Sequence, residues 1–99
     1  MSYNDSIAAA TEELLNITRE YYRDLSNFIE DMNAEVDELN EQMRMINQNW
    51  NDANFTQFKN SVDEKVREIS DQIDRAKSLL TLVAEAEKGF ADALAIING

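Results

Sequence analysis

Asn47-Gln48-Asn49-Trp50-Asn51-Asp52-Ala53-Asn54 is the stretch that decides the fold. Five of its eight residues are Asn or Asp, whose short polar side chains compete with a helical backbone for hydrogen bonds and act as helix N-caps. Asn51, Asp52 and Asn54 are cap candidates, and Asn54 with Gln57 has capping-box spacing. Nothing comparable interrupts the chain on either side. The 99 residues contain no proline and two glycines, Gly89 and Gly99, so the backbone is otherwise unpunctuated. The expectation is a turn at about residues 50–53 between two long helices.

Upstream of the turn, apolar residues fall at 14, 17, 21, 25, 28, 32, 36, 39, 43, 46 and 50, in steps of three or four, as one helix face requires. The steps repeat as 3-4-4, so Leu14, Leu25 and Val36 are eleven apart. That period of ~3.67 residues per turn implies a nearly straight or slightly right-handed seam, unlike a heptad coiled coil. Downstream, the stripe runs through Phe55, Phe58, Val62, Val66, Ile69, Ile73, Ala76, Leu80, Val83, Phe90, Leu94 and Ile97. Here Ile69, Ala76, Val83, Phe90 and Ile97 are seven apart. Gly89 lies within this stripe, but its phase continues beyond, so the helix is expected to pass through it. Helix 1 is placed at about 7–49, capped by Asp5 or Ser6, and helix 2 at about 53–96. Two helices of this length joined by a short turn must fold back antiparallel to cover their stripes. The predicted fold is therefore all-α, an antiparallel helical hairpin forming a single domain over residues 1–99.

Charge agrees with that pairing. The chain carries 20 acids, nine bases and a net charge of -11. From Asp24 to Glu41 there are acids and no base, and the facing part of helix 2 holds Lys65, Arg67, Arg75 and Lys77. Ion pairs between the helices are expected, at ~0.2–1 kcal/mol each where exposed.

A lone hairpin needs one apolar stripe per helix, yet the half farther from the turn has a second. Leu15, Tyr22 and Ile29 are seven apart on helix 1, and Leu79, Leu82, Ala86 and Ile96 add to helix 2. Exposing such large side chains forfeits about 1.5–3 kcal/mol each. Leu15, Tyr22, Ile29, Leu79 and Leu82 are accordingly the expected interface of a dimer, two hairpins forming a four-helix bundle.

Composition narrows the function. Without cysteine or histidine, thiolate chemistry, the usual proton shuttle and the commonest metal ligands are missing. The trios Asp31, Glu35, Glu38 and Glu64, Glu68, Asp71 each lie on one helical face, but bundle metal sites require inward-pointing acids, usually beside histidine. These trios read as solvated faces. Met32 and Met43 read as core filler. Nothing resembles a nucleophile–base pair or a phosphate loop, so no catalysis, metal or cofactor is expected. The negative charge opposes binding to nucleic acid. The first ten residues have no basic segment or apolar core of secretory length, and no stretch is long and apolar enough to span a membrane. The sequons at Asn4, Asn16 and Asn54 are therefore not expected to be glycosylated. Trp50, the single tryptophan, stands at the end of the first stripe, where it either caps the core or serves recognition.

The stretch Asn49-Trp-Asn-Asp-Ala-Asn-Phe-Thr-Gln-Phe58, with the length, acidity and hairpin layout of the chain, resembles the WXG family of type VII secretion substrates. Trp50, the small Ala53, Phe55 and Phe58 fall where that family has tryptophan, small and aromatic residues. Asp52 replaces the family glycine, a change that capping by Asp accommodates. The resemblance implies a turn motif for recognition formed by Trp50, Asp52, Phe55 and Phe58. Exported family members often carry a C-terminal Tyr or Phe followed four residues later by Asp or Glu. Phe90 has the right place, but Leu94 stands where the acid should be, and the sequence ends five residues later at Gly99. The implied function is a small secretion substrate or targeting partner without catalysis, the signal-poor member of a pair. Its partner would be itself or a homologous hairpin, with a secretion ATPase or a larger toxin as further contacts. It would be made in the bacterial cytoplasm and secreted without a classical signal peptide, or stay there as a non-exported partner. The alternatives are an export chaperone of an LXG-type toxin and, in another class, a non-secreted structural or adaptor helical rod.

Overall fold

The computed structural model describes residues 3–50 and 52–99. Helix α1 spans Tyr3–Asn49 and α2 spans Ala53–Asn98. They pack against each other as a hairpin, and among the described residues there is no strand. Helix α1 begins earlier than expected, so Asp5 and Ser6 lie inside the helix rather than capping it. There the Asp5 carboxylate complements the positive end of the helix dipole. Helix α2 continues through Gly89, as its phase required.

Asp52 is the cap at the turn. Its Oδ1 accepts a hydrogen bond from the Phe55 N–H at 3.0 Å, and its carbonyl accepts the Thr56 N–H at 3.1 Å. Asn54 is already inside α2, so the capping-box spacing with Gln57 is not used to start the helix. Asn51, the third cap candidate, lies outside the described residues. On the other side of the turn, the Trp50 N–H still donates to the Ile46 carbonyl at 2.9 Å. The α1 ladder is thus satisfied until the chain leaves the helix.

The hairpin divides into two compact units, one formed by Met1–Asn27 with Lys77–Gly99 and the other by Phe28–Ala76. In the turn-proximal unit the seam is buried or half-buried at Ile29, Met32, Val36, Leu39, Met43 and Ile46 of α1, and at Phe55, Val62, Val66, Ile69, Ile73 and Ala76 of α2. In the distal unit Leu15 and Val83 are buried, with Leu25, Leu80, Phe90, Leu94 and Ile97 half-buried.

The eleven-residue stripe of α1 holds at Leu25, Met32, Val36, Leu39, Met43 and Ile46 but not at Leu14, Ile17, Tyr21 and Phe28. Leu15 is 4 % exposed and its neighbour Leu14 47 %. Ile29 is buried while Phe28 is exposed, and Ile17, Tyr21 and Phe58, also expected in the seam, are exposed as well. Positions 15, 29, 36 and 43, alternating with 18, 25, 32, 39 and 46, follow a seven-residue repeat of 3-4 steps in which only Tyr22 is exposed, the spacing of a coiled-coil seam. The same repeat runs along α2. Two helices in contact over many turns must drift around their axes at the same rate, so a heptad stripe on α2 selects a heptad stripe on α1. Two threonines follow the α1 repeat at 11 and 18. Their hydroxyls donate to the carbonyls of Ile7 (2.8 Å) and Leu14 (2.7 Å), so no unpaired polar group enters the seam.

The expected charge pairing is also revised. A bridge between the helices joins Arg19 to Glu87 at 3.1 Å. Lys65 instead turns to Glu68 on its own helix at 3.3 Å, and Glu41 to Arg44 at 2.6 Å. The flexible side chains reach i+3 and i+4 neighbours at less conformational cost.

Candidate functional site

Two features stand out, one in each unit. In the turn-proximal unit, Trp50 meets Phe55 edge-on, with ring centroids 5.5 Å apart and an interplanar angle of 62°. It stacks on Phe58 at 5.9 Å and 29°. Phe55 is 4 % exposed, while Trp50 remains 38 % and Phe58 42 % exposed. The three rings have divided labour: Phe55 closes the end of the seam, and Trp50 and Phe58 present an aromatic surface beside the turn. Asp52 ties this cluster together because the amide it caps belongs to Phe55. All four residues of the turn motif are therefore brought together locally, since turn, cap and ring contacts fall within nine consecutive residues.

The distal unit has an apolar flank. Because the two helices run in opposite directions, residues with the same offset from the seam lie on the same side of it. On α1 the positions one before and two after the leading seam residues 15 and 22 are Leu14, Ile17, Tyr21 and Asp24; on α2 they are Leu79, Leu82, Ala86, Gly89, Ala93 and Ile96. Leu14, Ile17, Tyr21, Leu79, Leu82 and Ile96 are all exposed. The opposite flank of this unit carries Glu12, Arg19 and Lys77. Apolar exposure among the large side chains of this unit is thus one-sided, and a contiguous exposed apolar patch is a mark of an interaction surface.

Of the five residues expected at a dimer interface, Leu79 and Leu82 lie on this flank and are exposed. Tyr22 is exposed as well, although its position falls on the seam repeat. Leu15 and Ile29 are buried inside the hairpin and are not available to a partner while it stays closed, a consequence of the seam's shift by one residue. The surface that takes their place, Leu14, Ile17 and Tyr21, belongs to the stripe that the spacing predicts for the seam. The signal for it was present as doublets, Leu14-Leu15 and Tyr21-Tyr22, seven residues apart. Phe90 and Leu94 are half-buried on the α2 seam, where packing accounts for both.

The carboxylates of the two acidic trios are all exposed. Among the described residues no cluster of ligands suited to a metal ion and no pocket occurs, and no helix is long and apolar enough to cross a membrane. Arg44 holds the Glu41 carboxyl below its ordinary range, first by the hydrogen bond it donates and second by its charge. Both groups are fully exposed. Compared with known proteins, the chain matches no family model, no curated protein and no solved structure.

Proposed function

We propose that this chain is a protein-interaction hairpin that acts by docking rather than by catalysis, as a substrate or targeting partner of a bacterial type VII secretion system. The observation that carries the docking role is the one-sided apolar flank of the distal unit, Leu14, Ile17 and Tyr21 beside Leu79 and Leu82. A two-helix hairpin covers only the stripe where its helices touch, and among the described residues no side chain is fully buried. A further helix or helix pair laid on the flank would complete a bundle core. The secretion role is supported by the resemblance of the Trp50–Phe58 turn to the WXG motif, and by the partial exposure of Trp50, which leaves its ring accessible to a recognition protein.

A second reading, export partner of a larger toxin with an LXG-type helical domain, draws on a specific observation. Leu94 occupies the place of the acidic signal residue, so a partner would have to supply that signal.

The test compares culture supernatant and cell lysate from the native host, with and without its type VII ATPase, for the wild-type chain and for Trp50→Ala. Export that needs both the ATPase and Trp50, with Trp50→Ala still folded, supports the proposal. Phe55→Ala is the core control, because Phe58 is too exposed for that purpose. Retention in the cell in every strain, or export of Trp50→Ala at the wild-type level, overturns the secretion role of the turn. Export only when a neighbouring toxin gene is present favours the second reading.

A further inference from the structure

We infer that the occupant of the distal apolar flank is not a second copy of this chain but a helical protein whose docking face is apolar and bordered by Lys or Arg. This inference rests on the reading of that flank as an interface and adds the chemistry of its partner.

The flank is the strip formed by Leu14, Ile17, Tyr21, Leu79, Leu82 and Ile96. Its outer borders are the positions five residues after the leading seam residues, one row on each helix. On α1 the border holds Glu13 and Glu20; on α2 it holds Glu85 and Asp92. All four are exposed, and none takes part in the salt bridges found among the described residues. The four bases of the unit, Arg19, Arg23, Lys77 and Lys88, stand at other offsets, toward its far side. Arg19 is already bound to Glu87, and Arg23 lies 3.9 Å from Asp24. Both borders therefore carry acid and no base, Asp24 adds a further carboxylate on the strip itself, and the bases stand toward the far side beside Glu12.

A second copy brought face to face would set acid border against acid border. Turning it end for end changes nothing, because neither border offers a base. Like charges juxtaposed at the edge of an interface suppress that pairing, and opposite charges steer and select a partner. The same apolar strip bordered by Lys or Arg on the incoming helix would meet four carboxylates. The net charge of -11 works in the same direction, repelling copies and attracting cations at long range.

The experiment uses the full chain and two fluorescein-labelled synthetic amphipathic helices with identical leucine stripes, one bordered by Lys and one by Glu. Binding is followed by anisotropy at 50 mM and 300 mM NaCl, and sedimentation equilibrium measures the state of the chain alone. The expected result is a monomeric chain that binds the Lys-bordered helix at least tenfold more tightly than the Glu-bordered one. The preference shrinks at the higher salt, and Leu82→Asp abolishes binding. Replacing Glu13, Glu20, Glu85 and Asp92 together by Lys should invert the preference. Replacing Asp31, Glu35, Glu38 and Glu64 by Lys, an equal change of net charge in the other unit, should preserve it. Circular dichroism checks that each variant stays helical. Equal binding of the two helices, or inversion by the control variant as well, overturns the inference, since the border acids would then select nothing. A dimer of the chain alone that Leu82→Asp dissociates also overturns it, while leaving the flank as an interface. A monomeric chain that binds neither helix removes the interface reading itself.

Discussion

The turn-proximal unit leaves Phe28, Met45, Trp50 and Phe58 exposed outside its seam, whereas the distal unit exposes twice as many large apolar residues, Tyr3, Leu14, Ile17, Tyr21, Tyr22, Leu79, Leu82 and Ile96. At matching flank offsets the turn-proximal half mixes Phe28, Met45 and Phe58 with the charged Asp31, Glu35 and Glu38 of α1 and Lys65, Glu68 and Arg75 of α2, where the distal half carries Leu14, Ile17, Tyr21, Leu79, Leu82 and Ile96 with Asp24 as its one charged member. The seams differ in the opposite sense. Leu39, Met43, Ile46 and Phe55 serve the turn-proximal seam, while Thr11, Thr18 and Glu87 occupy distal seam positions. Apolar surface is thus withheld from the distal core and presented outward, a distribution that lowers the stability of the lone hairpin at that end and makes sense for a surface meant to be covered. The comparison teaches that a local excess of hydrophobicity marks an interface only once the seam has been located, because the same residues in a different phase are simply core.

The largest effect that could break this comparison concerns the phase itself. Leu15→Ala should destabilise the hairpin by about 2–5 kcal/mol, the range for a buried leucine, while its neighbour Leu14→Ala should cost far less. Phe55→Ala, at the buried end of the other unit, should cost about 3–5 kcal/mol. Urea melts followed by circular dichroism read all three. Equal losses at 14 and 15 would return α1 to an eleven-residue seam.

Next in size is the cap. Asp52→Ala removes the acceptor of the Phe55 N–H and should cost about 1 kcal/mol, with Asp52→Gly losing only a few tenths. A loss at Asp52→Gly as large as at Asp52→Ala would mean that the carboxylate does more than cap. Gly89→Ala should move stability the other way. A Cβ at Gly89 meets nothing within 4 Å, and alanine is favoured over glycine in a helix interior by about 0.8–1.0 kcal/mol. A lower melting temperature for this variant would indicate that the described helix packs differently there.

The smallest effect is expected at Glu41. Its carboxyl is held low by Arg44, so its contribution is present above the unfolded carboxyl pKa and is lost as pH falls through the lowered folded value. Both groups are exposed, and Glu41→Gln should leave the melting temperature at pH 7 within the error of the measurement while removing this acid-side dependence. A clear drop at pH 7 would make the pair part of the turn-proximal framework.

Much of the architecture was legible before any coordinates. The absence of proline, the Asn-rich stretch at 47–54 and steps of three and four on either side sufficed for two helices and a turn. The helix ends at Asn49 and Ala53 follow from the Asp52 cap, which was among three candidates that local chemistry could not rank. Trp50, Phe55 and Phe58 were recognisable as a cluster because a turn brings near neighbours together. The division of those rings into one buried and two exposed was not, since it depends on how the second helix leaves the turn.

Sequence by itself determined that this chain is helical, that it doubles back near residue 51, and that its distal half holds more apolar side chains than one seam can use. Only the tertiary structure decided which of them the seam takes. Leu14 and Leu15, Tyr21 and Tyr22, Phe28 and Ile29 are adjacent apolar doublets, and an isolated helix has no means of preferring one member. The choice belongs to α2, whose heptad stripe at Phe55, Val62, Ile69, Ala76 and Val83 can remain in contact only with a stripe that drifts at the same rate. That requirement places Leu15 and Ile29 inside, and leaves Leu14, Ile17 and Tyr21 on the surface.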